Sequence, residues 1–177
     1  NICILRLEFL PSLPPRDLHV KWYRMPLLIL LSSHKECRMS LPAVLTEKLR
    51  LPVVGAPLFI VSNPDLVISQ CKSGIVGSFP ALNARPEIEL DRWLDRITNE
   101  LGEYDVCNPD KPSAPFAVNQ IVHKSNNRLE HDVEMCVKWR VPIVITSLGA
   151  REDVNEAIHS YGGIVLHDVI SNKFAKK

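Results

Sequence analysis

The sequence predicts an α/β fold with a parallel sheet, and three observations support this prediction. Short apolar runs without polar alternation recur along the chain, as expected for strands that are covered on both faces. Amphipathic segments of helical length separate these runs. Capping and terminating residues lie at the ends of the amphipathic segments. The resulting order is βαβαβαβαβ, with about five parallel strands and four helices.

Local residue patterns mark where the predicted helices, strands and loops begin and end along the chain. Leu45 and Leu49 indicate a short amphipathic helix before the first strand, Asn63 is a candidate cap of the next helix, and Gly162 and Gly163 end the last one. Residues 102–115 read as a surface loop, and residues 171–177 begin a further helix. The predicted strands span residues 52–58, 75–79, 115–119, 142–146 and 164–168, and the predicted helices span residues 64–73, 87–101, 127–139 and 151–161.

The chain divides into two parts by composition. Residues 1–38 carry four prolines and show no sustained strand or helix period, which predicts an atypical leader that is disordered or non-native. Residues 39–177 contain all the alternating elements, and Met39 is a plausible natural start. We therefore expect one domain over residues 39–177.

Composition excludes several classes of protein. The chain has 177 residues, of which 46% are hydrophobic and 23% charged, which is ordinary for a globular domain. A net charge of +1 argues against nucleic acid and anionic membranes as partners. The longest apolar run, Met25–Leu31, is too short to span a bilayer. Five widely spaced cysteines without a C-x-x-C pair favour a reducing compartment, so we expect a cytoplasmic protein.

The candidate ligand site lies where the predicted strands end. In parallel α/β folds the ligand lies at the carboxyl ends of the strands. The residues there are small, polar or backbone-rich, which suits a planar heterocycle, and they include no pair of nucleophile and base. Neither a dinucleotide-binding nor a phosphate-binding glycine motif is present. The candidates are Ala56, Pro57, Leu58, Gly77, Ser78, Asn119, Gln120, Ser147, Leu148, Gly149, His167 and Asp168.

Five motifs along the chain carry a resemblance to a known family. They are the segments LPVVGAPLF, KSGIVGSFPALNARP, FAVNQ, VPIVITSLGAREDVNEAIHSYGG and GIVLHDV. Together they resemble the amino-terminal half of nitronate monooxygenases, formerly 2-nitropropane dioxygenases, which are FMN-dependent TIM-barrel flavoenzymes. The resemblance extends over residues 41–177 and implies that the chain is an incomplete TIM (β/α)8 barrel.

The resemblance also implies roles for the candidate residues. The corner formed by Ala56, Pro57 and Leu58 would contact the flavin through its backbone, and Asn119 would bond the flavin ring with Gln120 beside it. His167 and Asp168 match a cofactor-side motif that often reads His-Lys, so Asp168 is a departure in charge. The turn Ser147–Gly149 would face the substrate.

The catalytic histidine of the family follows the sixth strand, which places it beyond Lys177. None of the six histidines of this chain is therefore predicted to be the catalytic base. No metal site is expected.

The resemblance implies oxidation of alkyl nitronates such as propionate 3-nitronate, or of 2-nitropropane, with O2. The expected partners are thus a small nitronate or nitroalkane and O2. Two alternatives remain: another FMN-barrel oxidoreductase of the enoyl-reductase type, or a flavodoxin-like binding module or inactive truncated chain. Since an incomplete barrel leaves open sheet edges, we also expect weak stability or a homo-oligomer.

Overall fold

The computed structural model describes residues 41–176. The predicted leader at residues 1–38 and the start at Met39 lie outside these residues. The helices are α1 Ala43–Thr46, α2 Pro64–Lys72, α3 Glu89–Cys107, α4 Leu129–Lys138, α5 Glu152–His159 and α6 Asn172–Ala175, with a 3-10 turn at Ala81–Asn83. The strands are β1 Gly77–Pro80, β2 Phe116–Ile121, β3 Ile143–Ser147 and β4 Ile164–His167.

The four strands form one parallel sheet in chain order, β1-β2-β3-β4. A helix connects each strand to the next, so every step is a βαβ unit. This arrangement confirms the predicted α/β fold with a parallel sheet. It also brings the carboxyl ends of all four strands to one edge of the sheet.

The sheet has two faces of different character, because successive side chains of a strand point to opposite sides. The outer face carries Phe79, Val118, Val144 and Val165, which belong to the core shared with the helices. The inner face carries the alternate residues, which include Ala117 and Ile143 and, at their side, Ile145, Ile164 and Leu166. We use the names outer face and inner face for these two sets below.

The core on the outer face of the sheet depends on an apolar stripe along α3. Leu90, Leu94, Ile97 and Leu101 recur at helical spacing and are all buried. Phe79 of β1 also lies in this core, with its ring centroid 5.6 Å from that of Trp93 on α3. The stripe thus fastens the longest helix to the outer face.

Gly77 at the start of β1 permits a close approach of α2. A Cβ atom at this position would overlap the backbone carbonyl oxygen of Val67 and lie 3.0 Å from the sulfur of Cys71. Any side chain at residue 77 would therefore push α2 away from the sheet.

The predicted first strand, residues 52–58, is wrong in extent. Only Val54 forms a bridge, a parallel one to Val76, flanked by hydrogen bonds from Gly55 N to Val76 O at 2.7 Å and from Val76 N to Val53 O at 3.0 Å. Pro52 and Pro57 lack the N–H groups that would extend the ladder. The segment nevertheless lies beside β1, where the first strand was expected.

Two further boundaries differ from the prediction. Helix α3 continues to Cys107, so the first part of the predicted loop at residues 102–115 is helical. The half-buried Tyr104 and the salt bridge between Asp105 and Lys48, at 3.6 Å, give this last part of α3 partners in the fold. Helix α1 is shorter than a full amphipathic helix, although Leu45 and Leu49 do pack against the inner face.

Two predicted helix-end signals are confirmed, the cap of α2 and the glycine after α5. The side chain of Asn63 accepts a hydrogen bond from Leu66 N at 3.0 Å and so caps α2. Gly162 has a φ of +87° just after α5, a conformation that favours glycine. Within residues 41–176, no helix is long and apolar enough to cross a membrane.

Candidate functional site

Three polar side chains meet on the inner face where β2, β3 and β4 end. Asn119 Nδ2 donates to Ser147 Oγ at 2.8 Å, and Ser147 Oγ donates to Asp168 Oδ2 at 3.4 Å. The parallel register explains this meeting, because it pairs Asn119 with Ile145 and Ile121 with Ser147. We call Asn119, Ser147 and Asp168 the strand-end row.

Asn119 is the most buried member of the strand-end row, with 6% of its surface exposed. Its Nδ2 also donates to the backbone carbonyl of Ile145 at 2.9 Å, so both amide hydrogens are used. The oxygen Oδ1 accepts no hydrogen bond from any residue between 41 and 176. Oδ1 is not among the fully buried polar atoms of the described residues that lack a partner, so it is accessible to water or to a ligand that donates a hydrogen bond.

The corner formed by Ala56, Pro57 and Leu58, at the end of the segment of residues 52–58, is held by neighbouring side chains. Ser78 of β1 donates a hydrogen bond to the carbonyl of Gly55, and Ser62 Oγ accepts from Leu58 N at 2.9 Å. Asn83 Nδ2 donates to Leu58 O at 3.0 Å and to Ser62 O at 2.9 Å, and Asn83 Oδ1 accepts from Ile60 N at 3.1 Å. The corner containing Ala56, Pro57 and Leu58 is therefore fixed to the end of β1.

The turn after β3 has an unusual backbone. Leu148 has a φ of +63° and Gly149 a φ of +137°, and 69% of the surface of Leu148 is exposed. Positive φ is unfavourable for a leucine and occurs where the surroundings impose it, often at binding sites. The turn Ser147–Gly149 thus presents an apolar side chain beside the strand-end row.

Exposed apolar side chains surround the same edge of the sheet. They follow the strands or their corners, and we call them the apolar rim: Leu58, Phe59, Ile60, Val61, Leu148, Val169 and Ile170. An exposed apolar surface bordered by polar groups is typical of a ligand or partner site. The rim and the strand-end row together can contact the faces and one polar edge of a planar ring.

Two predicted cofactor residues lie on the other side of the sheet. Gln120 is completely buried on the outer face, and its Nε2 donates to the sulfur of Cys136 on α4 at 3.4 Å. His167 shares a hydrogen bond with Thr146, which is also buried on that face. The alternation of a strand therefore separates Gln120 from Asn119 and His167 from Asp168.

The cysteine and histidine side chains on this side of the sheet favour their uncharged forms. Burial raises the pKa of the Cys71 thiol to about 11 and that of Cys136 to about 12, so both remain protonated at neutral pH. Burial also lowers the pKa of His167, which favours the neutral imidazole. In the part of the chain that the structure describes, no group of acidic, histidine or cysteine side chains could hold a metal ion.

A groove of about 280 Å³ lies at the opposite edge of the sheet. It is bordered by α1 and α3 and reaches Phe116 and Pro142, at the amino ends of β2 and β3. Sequence reasoning did not anticipate it, because it depends on how α1 packs. It also missed Ser62 and Asn83, whose role depends on contacts between segments that no local pattern encodes.

Comparison with known proteins supports the fold. No protein-family model matches the sequence, and a search of curated proteins found no match. Two solved structures of FabK from Thermotoga maritima, one of them a mutant, are similar with TM-scores of 0.59 and 0.58 and sequence identities of 19% and 18%. They confirm the predicted fold class, an incomplete TIM barrel of α/β type.

The similarity covers different shares of the two proteins. It extends over 75% of this chain in both comparisons, but over only 38% and 40% of the FabK chains. The chain therefore spans about 40% of the length of the solved structures that it resembles. The described elements correspond to part of a barrel whose closure requires eight strands.

Proposed function

We propose that this chain provides the amino-terminal, FMN-binding part of a flavin-dependent oxidoreductase barrel that oxidises alkyl nitronates with O2. The proposal rests on one observation above all: the oxygen Oδ1 of Asn119, at the carboxyl ends of the strands, accepts no hydrogen bond from the described residues and is accessible to a ligand. A ring N–H group of an isoalloxazine is a donor that this atom could bind.

The residues present fit such a ring in two further respects. The apolar rim offers Leu58 and Leu148 to its faces, and Asn83 holds the corner with Ala56 and Pro57 in place. When bound, the flavin would supply the redox chemistry, and the protein would orient the ring and exclude water from it. Ser147, Leu148 and Gly149 would lie towards the substrate.

Gln120 and His167 take a different part in this proposal from the one expected. Both are attached to the outer face, so they would support β2 and β4 from behind instead of contacting the flavin. Asp168 remains on the ligand side through its contact with Ser147. The substrate class rests on the family resemblance of the motifs.

A second function is favoured by the structural comparison. FabK is an enoyl-ACP reductase, and its similarity to this chain supports an enoyl-reductase-like flavoenzyme equally well. Turnover of propionate 3-nitronate in the presence of O2 would distinguish the first function from reduction of enoyl thioesters. Because none of the six histidines is predicted to be the catalytic base, flavin binding is the property to test in this chain.

Flavin titration of this chain tests the proposal directly. We expect saturable quenching of FMN and of lumiflavin fluorescence, and the Asn119→Leu variant should bind lumiflavin at least about tenfold more weakly, since the hydrogen bond to Asn119 Oδ1 is lost. The exposed Asn99→Leu on α3 is the matched control and should bind as the unmodified chain does. Absence of saturable binding to the unmodified chain would contradict the proposed function.

A further inference from the structure

We propose that Asp168 makes the position beside Asn119, at the carboxyl ends of the strands, select rings that are neutral and donate a hydrogen bond, and disfavour rings that carry a negative charge. This inference rests on the proposed function, because it concerns the charge state of the ring that binds there. It names Asp168 as a residue that determines specificity. Neither the fold nor the proposed reaction requires a carboxylate at this position.

The first step is the orientation of the Asn119 amide. The carbonyl oxygen of Ile145, 2.9 Å away, can only accept a hydrogen bond. The amide nitrogen must therefore face Ile145, since the opposite orientation would place two acceptor oxygens together. This leaves Oδ1, an acceptor, as the polar atom of the Asn119 side chain that a ligand can reach.

The second step concerns the hydrogen of the Ser147 hydroxyl group. Ser147 Oγ accepts from Asn119 Nδ2 at 2.8 Å and donates to Asp168 Oδ2 through a long contact of 3.4 Å. A serine hydroxyl has a single hydrogen, so this contact uses it. Asp168 offers only acceptors when it is ionised. With this hydrogen directed towards Asp168, the strand-end row offers a ligand two acceptors, Asn119 Oδ1 and the Asp168 carboxylate.

The third step concerns the distance over which the charge of the Asp168 carboxylate acts. The two hydrogen bonds of the strand-end row join the Asp168 carboxylate to the Asn119 amide. A ligand on Asn119 Oδ1 therefore lies within about one Debye length of this charge, roughly 8–10 Å at physiological salt. Asn119 is buried, which reduces screening by water at the ligand, whereas Asp168 itself is exposed, which keeps the effect of its charge modest. A negative charge on a ring bound at Asn119 Oδ1 would be repelled.

Two flavin analogues of nearly the same shape test this inference. Lumiflavin is neutral at neutral pH, whereas 8-hydroxylumiflavin is an acid whose ring is then an anion. The unmodified chain should bind lumiflavin more tightly than 8-hydroxylumiflavin, as measured by fluorescence quenching and by the visible absorption of the anion. Asp168→Asn removes the charge at nearly constant volume and should reduce this preference by about tenfold, which corresponds to about 1.4 kcal/mol.

Asp110→Asn is the matched control, since Asp110 is an exposed aspartate in the segment before β2, at the other edge of the sheet. It should keep the preference of the unmodified chain. If both analogues bind equally well, or if Asp168→Asn leaves their ratio unchanged, the role of Asp168 is wrong while flavin binding stands. If lumiflavin itself does not bind, both the proposed function and this inference are overturned.

Discussion

The outer and inner faces of the sheet are built from alternate residues of the same four strands, yet they differ in almost every property. The outer face is filled by large buried side chains such as Phe79 and Val144, together with the stripe on α3. The inner face has a smaller buried cluster of Val76, Ala117 and Ile143, and its other apolar residues are only partly buried.

This difference shows how one sequence can separate stability from binding. Apolar packing on the outer face holds the strands, while Asn119 and Asp168 on the inner face have acceptor atoms that a ligand can reach. Of two consecutive residues in a strand, one therefore contributes to packing on the outer face and the other to binding on the inner face. Three changes, from the largest expected effect to the smallest, would break or sharpen this division.

The largest effect is expected for matched leucines on the two faces. Leu94 is completely buried in the outer core, so Leu94→Ala should lower the free energy of unfolding by about 2–5 kcal/mol. Leu166 on the inner face is only partly buried, and Leu166→Ala should cost less than about half of that amount. Urea denaturation of this chain measures both. Equal costs would mean that another chain or segment covers the inner face in solution.

A smaller effect separates the adjacent residues Asn119 and Gln120. Gln120 has a buried oxygen Oε1 without a partner, so Gln120→Met should leave stability unchanged or increase it slightly, by up to about 1 kcal/mol. It should also leave the affinity for lumiflavin unchanged, in contrast to Asn119→Leu. Thermal unfolding and flavin titration of the two variants provide the comparison. Loss of flavin affinity in Gln120→Met would place Gln120 at the ligand.

The smallest effect concerns pH. The folded protein lowers the pKa of His167 below its ordinary value near 6.5 through burial, so the unfolded chain binds the proton more readily. Stability due to the neutral His167 is therefore present above this value and declines as the pH falls below it. His167→Gln should weaken the pH dependence of unfolding between pH 7 and 5.5, measured by urea denaturation. His123→Gln, an exposed histidine after β2, should keep the original dependence.

Much of this architecture could be predicted from the sequence, because it depends on local patterns. The predicted and observed ends of β2, β3 and β4 agree to within two residues, and Asn63 caps α2 as expected. Such signals work because burial on both faces requires continuous apolar runs, and because a side-chain cap satisfies a backbone N–H within its own turn.

Other features could not be predicted, because they depend on distant partners. The segment at residues 52–58 has the composition of a strand but forms a single bridge, since it has β1 on one side and two prolines within it. Asn119 and Gln120 look equally suitable as ligands in the sequence. Only the pairing of β2 with its neighbours decides which of them reaches the inner face.

The three hydrogen bonds of Asn83 to Leu58, Ile60 and Ser62 have a consequence for the entropy of binding. A loop with so many exposed apolar side chains would usually be mobile, and a ligand would have to order it. Here a single amide on the neighbouring 3-10 turn already restricts the loop. When a planar ligand binds against Leu58, the ligand therefore loses its own translational and rotational entropy, whereas the loop loses little conformational entropy.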